Sequence, residues 1–170
     1  IGTMLISFLK IRNSFKKEQH NASMSSYAAL SEIYLSMHFI DIKTGKYQLV
    51  KTAKYIEDKC EELDSDDFSK RIHASMKYFC TQQYISSVLE FVDIATLGER
   101  LMETNTIVHE FIGIVYGWCR ERFIKVDSDE KGRPWHVLYC VEVIDEQKRR
   151  EKKLLYLSET DSMTGINNRG

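Results

Sequence analysis

Three β-rich runs crowd the last third of the chain, and they constrain its fold more than any other feature: NTIVHEFIGIVY, WCRERFIKVD and RPWHVLYCVEVI. β-branched and aromatic residues dominate each, as in strands packed on a pleated surface. In FIGIVY both alternating sets, Phe111/Gly113/Val115 and Ile112/Ile114/Tyr116, lack charge. In WHVLYCVEV, Trp135, Val137, Tyr139, Val141 and Val143 share one face, and the other carries His136, Leu138 and Cys140 before Glu142. A sheet with one wet face alternates more cleanly. The pattern predicts a sheet covered on both sides, because a bare second face would leave a large apolar patch. SDEKGR marks a turn between the last two runs. Pro134, the only proline, is placed at the first residue of a strand, where its missing N–H does least harm.

Upstream, IYLSMHFIDIKTGKYQLVKT breaks at Gly45, which takes a positive φ cheaply. Ile33–Ile42 and Lys46–Thr52 are therefore predicted to pair as an antiparallel hairpin. The middle third has helical spacing. Phe68, Ile72 and Met76 repeat along one face after Ser65 and two acidic residues, which suit a first turn. Tyr84, Val88 and Phe91 repeat in the next segment, and TLGE predicts a capping box from Thr96 to Glu99 with a helix running to about Glu103. The fold class is thus α+β: a five-stranded antiparallel sheet with helices inserted between its halves, an N-terminal helix and a C-terminal linker helix.

A chain of 170 residues supports one domain with flanking helix, and a net charge of −1 recruits neither nucleic acid nor acidic substrates. Cys60, Cys80, Cys119 and Cys140 form no CxxC pair and have no histidines at zinc spacing, so no metal site is expected and reduced thiols in a cytoplasmic compartment are.

The first nine residues, IGTMLISFL, are apolar and lead into Lys10, Arg12, Lys16 and Lys17. Nine residues cannot cross a bilayer, which needs about 20. Two readings stay open: the cytoplasmic exit of a membrane helix, or an amphipathic helix burying Met4, Leu5, Phe8 and Leu9. Met24, Tyr27, Ala28 and Ser31 continue helical spacing to about residue 30. At the other end, DEQKRREKKLLYLSET contains no turn signal and is predicted to leave the last strand as a charged helix. Ile144, Leu154 and Leu157 are its seam candidates for a helix pair, with Glu151 interrupting them; a solvated single helix is the alternative.

Two stretches resemble known families. The tail LSETDSMTGINNR is similar to the start of GGDEF diguanylate cyclase domains, roughly D-x-L-T-G-L-x-N-R: Asp161, Thr164, Gly165, Asn168 and Arg169 match, while Met163 and Ile166 stand where leucine is usual. From about Ser31 to Lys148 the strand–helix–strand order resembles a PAS domain, with YLSMHFIDIKTGKY as its opening strands and GWCRERFIKVDSDEKGRPWHVLYCVEVIDEQKRREKKL as its close. Many PAS domains end in Asp-Ile-Thr; here Val143-Ile144-Asp145 fills that slot, so coupling to the helix must use another contact such as Asp145 or Glu146.

The resemblance implies residues 1–30 as a membrane-proximal or dimerisation helix, 31–145 as the PAS sensor, 146–160 as a helical linker and 161–170 as the start of a GGDEF domain. It implies a homodimer whose linkers set the geometry of two GGDEF domains in cis, a membrane tether upstream, and a place on the inner face of the cell membrane. Asp161 and Thr164 then act as hinge residues with Ile144, Asp145 and Leu154. No GGDEF or GGEEF string occurs, so no catalytic residue is expected in this chain. The other readings are a ligand-free dimer scaffold and a sensor for another output such as a histidine kinase. No Asn-Cys-Arg-Phe flavin-photosensor stretch is present, and His73, on a middle helix, has no supporting motif for haem. Tyr34, His38, His109, Trp118 and Arg120 are the polar-capable strand residues that could line a pocket, although aromatic residues at such positions also simply fill cores. The sequence names no ligand.

Overall fold

The structure, a computed structural model, describes residues 21–22, 24–26, 33–60 and 65–164, with side chains to residue 159. The apolar start, the basic cluster after it and most of the expected N-terminal helix lie outside the described residues, as does the tail beyond Thr164; residues 21–22 and 24–26 are helical.

Five strands form one antiparallel sheet: β1 Ser36–Asp41, β2 Tyr47–Thr52, β3 Thr106–Gly113, β4 Gly117–Lys125 and β5 His136–Val143, in the spatial order β2-β1-β5-β4-β3. Helices α1 Lys54–Cys60, α2 Phe68–Phe79, α3 Ile85–Phe91 and α4 Ile94–Arg100, with a 3-10 turn at Gln82–Tyr84, lie between β2 and β3 in the chain. The exit helix, α5 Asp145–Thr164, leaves β5 with only Ile144 between them. The hairpin forms as expected, with Gly45 at φ +70°, although β1 starts three residues later than the composition suggests.

The inner face packs on the inserted helices. Phe123 is fully buried with its ring 5.0 Å from Tyr139, 5.5 Å from Phe91 and 6.3 Å from Phe68. Phe68 and Tyr139 meet edge to face at 5.3 Å, the arrangement that ring quadrupoles favour. The outer face divides. Met37, Leu138 and Cys140 are buried together, with Tyr34, Phe39, Val50 and Ile124 against them. Its β3–β4 half is polar instead: Arg120 pairs with Glu110 at 2.8 Å, and Arg120 and Arg122 both pair with Glu142.

Several local expectations are corrected. Asp67 caps α2, its Oδ1 accepting the Lys70 N–H at 3.0 Å, so the acidic residues precede the helix and do not occupy its first turn. Asp93 caps α4 through the Ala95 N–H. Thr96 is three residues inside, donating to the Asp93 carbonyl, and the helix stops at Arg100. Strand β5 begins at His136, leaving Pro134 in an isolated bridge to Ser128 and Trp135 56% exposed. Residues 114–116 form the β3–β4 turn, so the uncharged set Phe111/Gly113/Val115 is not one continuous strand face.

Candidate functional site

Helix α2 turns one face to the sheet. Phe68, Arg71, Ile72, Ser75, Met76 and Phe79 occupy positions i, i+3, i+4, i+7, i+8 and i+11 of one helical face, and all of them line a cavity of about 60 Å³. Ile56 and Cys60 of α1 add to the wall, and the sheet supplies Ser36, His38, Phe111, Cys119 and Val141. A water-sized guest needs about 10–15 Å³ by the same kind of measure, so there is room for several heavy atoms. The lining is apolar with a few polar groups, as in small-molecule sites.

Among the described residues, His38 is an inner-face polar side chain left with a buried, unsatisfied atom. Its ring sits 5.6 Å from Tyr47, 5.8 Å from Phe68 and 6.0 Å from Tyr139, and its buried Nδ1 has no hydrogen-bond partner among the described residues. Burial, with the nearby Arg71 cation adding to it, pulls the imidazole down to about 3, which keeps it neutral. Arg71 itself lies over the Tyr47 ring at 5.9 Å.

A second buried polar group stands two strands away, on β4. Glu121 is fully buried; His109 Nδ1 lies 2.8 Å from its Oε1, and the Tyr139 hydroxyl donates to its Oε2 at 2.6 Å. Burial raises the Glu121 carboxyl, opposed by the His109 and Tyr139 hydrogen bonds; burial and the Glu121 carboxylate raise the Tyr139 phenol. Phe91 stacks on His109 at 5.3 Å, so the triad ties β3, β4 and β5 to α3. The thiols are inert by the same physics: burial pushes Cys80 up to about 11 and Cys119 and Cys140 to about 12.

The sheet is fastened to α5 at the start of β4. The Trp118 N–H donates to Asp145 Oδ1 at 3.1 Å, and the Ile144 N–H donates to the Trp118 carbonyl at 2.8 Å. Gly117 makes room: at φ +68°, a Cβ there would fall 2.3 Å from Asp145 Oδ1. Lys148, one turn on, pairs with Glu110 of β3 and sits 5.2 Å from the Trp118 ring.

The five pocket candidates therefore separate. His38 lines the cavity, and His109 faces inward beside Glu121. Trp118 stands at the α5 joint, where its ring meets Tyr84 edge to face. Arg120 lies in the outer ion-pair network, and Tyr34 lies near Arg122, whose guanidinium is 5.9 Å from its ring. Of the linker candidates, Ile144 is buried, Asp145 holds the joint and Leu154 is 67% exposed. The α5 backbone continues through Asp161 to Thr164. Arg71, Ser75 and Glu121 are the residues sequence reasoning passed over. Glu121 was signalled by an acid alternating with Cys119 and Phe123, and Arg71 by its spacing from Phe68 and Ser75.

Among the described residues, no helix is long and apolar enough to cross a membrane, and no group of three or more His, Cys, Asp and Glu could hold a metal ion. No family model and no curated protein matches the sequence. Among solved structures the chain is similar to a sensory box histidine kinase/response regulator from Burkholderia thailandensis E264, at 17% identity over 78% of this chain and 93% of that one, with a TM-score of 0.42. The fold is PAS-like by its own topology: a β2-β1-β5-β4-β3 antiparallel sheet, with helices inserted between β2 and β3 and an exit helix after β5.

Proposed function

We propose that this chain is a cytoplasmic PAS sensor and dimerisation module that controls a diguanylate cyclase. A small molecule in the cavity beneath α2 biases the packing of the inner sheet face. The bias passes along β4 and β5 to α5, which sets the angle between two GGDEF domains, each carrying one GTP. The observation that carries this reading is the joint at Asp145. A helix held to β4 by a carboxylate and a backbone hydrogen bond cannot tilt independently of the sheet, so a shift in strand packing becomes a shift in helix direction. Asp145 takes the coupling role that the missing Asp-Ile-Thr acid would have had.

The tail match supports a cyclase over a histidine kinase as the output. The lined cavity favours a sensor over a filled scaffold. Exposed Leu154, Leu155 and Leu157 on α5 support pairing with the same helix of a second copy. A membrane tether upstream would hold this dimer at the inner face of the membrane.

The test uses the full-length gene product, purified and supplied with GTP and Mg²⁺. Cyclic di-GMP should form, and the 170-residue chain alone should form none. A downstream sequence without Gly-Gly-(Asp/Glu)-Glu-Phe, or a full-length protein that leaves GTP untouched, overturns the cyclase reading.

A further inference from the structure

Among the described residues, Glu121 is the one acid that is fully buried. His109 of β3 and Tyr139 of β5 are its hydrogen-bond partners, and Arg100 of α4 is near enough for its charge to favour the carboxylate. Arg100 is engaged elsewhere. It donates to the Phe91 carbonyl at 2.7 Å and to the Glu90 carbonyl at 3.3 Å, which closes the end of α3, and its guanidinium lies 5.1 Å from the Phe91 ring. Glu90 and Asp93 are the acids that face Arg100, and the neutral thiols of Cys80 and Cys119 also face the Glu121 carboxyl. The His109 side chain is 23% exposed, at a surface groove that it shares with Ser87, Glu90, Phe91, Arg100 and Ile107. The Glu121–His109 pair therefore has one dry end and one wet end.

We infer that Glu121 and His109 form a proton-operated switch that frees helix α3 as pH rises. In the closed state the pair is neutral: the carboxyl donates its proton to His109 Nδ1, and Tyr139 donates to Oε2. Burial favours this state, because a charge there has no water around it, and it holds the Glu121 carboxyl above its ordinary range. As pH rises the carboxyl proton passes to Nδ1, and the other ring nitrogen releases one proton to water at the groove. The pair then carries one negative charge in the core. Arg100 is the cation placed to answer it, at the expense of its bonds to the α3 carbonyls. Phe91, whose ring meets both Arg100 and His109, moves with it. Glu121 shares β4 with Trp118, so the strand that takes the proton also holds Asp145. The ligand is the proton itself, bound by residues that do not line the cavity beneath α2.

The test is an NMR titration of the 170-residue chain across the acid-to-alkaline range, with the glutamate side chains and backbone amides labelled. The Glu121 carboxyl carbon should titrate above the ordinary 4.5, and the Phe91 amide should shift with the same midpoint. Hydrogen-exchange protection of Ile85–Phe91, corrected for the intrinsic rate, should fall severalfold above that midpoint. Glu121→Gln should keep α3 protected throughout and lose the step at Phe91. Should that variant not fold, Tyr139→Phe decides. It removes a hydroxyl that favours the carboxylate, so the midpoint should rise by about one pH unit or more. A Glu121 carbon that titrates at or below 4.5 would overturn the switch. So would α3 protection that does not change, a Phe91 step that survives Glu121→Gln, or an unmoved midpoint in Tyr139→Phe. None of these readings uses GTP or a cavity guest, so failure here is distinct from failure of the cyclase reading.

Discussion

Asp145, the first residue of α5, reaches from the end of β5 to the start of the neighbouring β4 and accepts the Trp118 N–H at 3.1 Å. The same carboxylate pairs with Arg149 one turn on, so a single side chain ties strand β4 to the helix that leaves the domain. Asp145→Ala should cost about 1–2 kcal/mol, at the low end for a hydrogen bond to a charged acceptor because the group is partly open to water. Gly117→Ala should cost about 2 kcal/mol or more, since alanine is strained at φ +68° and its Cβ displaces the carboxylate. Urea denaturation of both single variants and the double variant measures the coupling. Strictly additive losses would contradict a shared joint.

Glu121 gives the domain a pH signature. Burial raises its carboxyl above the ordinary 4.5, so the folded protein holds a proton that the unfolded chain has released. Stability from this group is therefore greatest below 4.5 and falls as pH rises through the raised folded value. Glu121→Gln should remove that decline while keeping acceptor capacity toward Tyr139 or His109. Thermal midpoints across the acid-to-neutral range read it. Parallel wild-type and variant profiles would contradict the assignment.

His38 titrates in the opposite sense. Its imidazole is depressed from 6.5 to about 3, so as pH falls through 6.5 the unfolded chain takes up a proton that the folded state refuses. Stability is lost from 6.5 down to about 3, and His38→Phe should flatten that part of the acid limb. An NMR titration showing His38 protonated near pH 6 in the folded state would contradict it.

Leu154 and Leu157 are each more than half exposed on α5, as is Leu155 between them. If they pair across a dimer axis, light scattering at high concentration gives a dimer, and Leu154→Glu with Leu157→Glu shifts it to monomer. A strict monomer in the wild type would remove the helix pair from the account.

The core was legible where a period was clean. Phe68, Ile72 and Met76 mark the buried face of α2, and the β5 alternation places Val137, Tyr139 and Val141 on the inner face. Caps were harder, because two residues competed for one role. The T-x-x-E pattern at Thr96 is real as spelling, but Asp93 stands three residues earlier with the stronger side chain for that turn. The site was half legible. Arg71 sits between Phe68 and Ile72, where a charge reads as the solvent edge of an amphipathic helix. Arg120 looked pocket-capable, but β4 alternates: with Cys119 and Glu121 inward, Arg120 must point to the outer face. Sequence spacing cannot show that His38 Nδ1 finds no partner among the described residues, since that depends on which side chains arrive from α2.

The most direct test of the central claim is cyclic di-GMP synthesis by the full-length protein with Asp145 intact and with Asp145→Ala. The account predicts that the wild type makes the product and that the variant, still folded and still binding GTP, changes its rate severalfold because the sheet no longer steers α5. Equal rates in the two proteins would contradict the claim that this joint carries the signal.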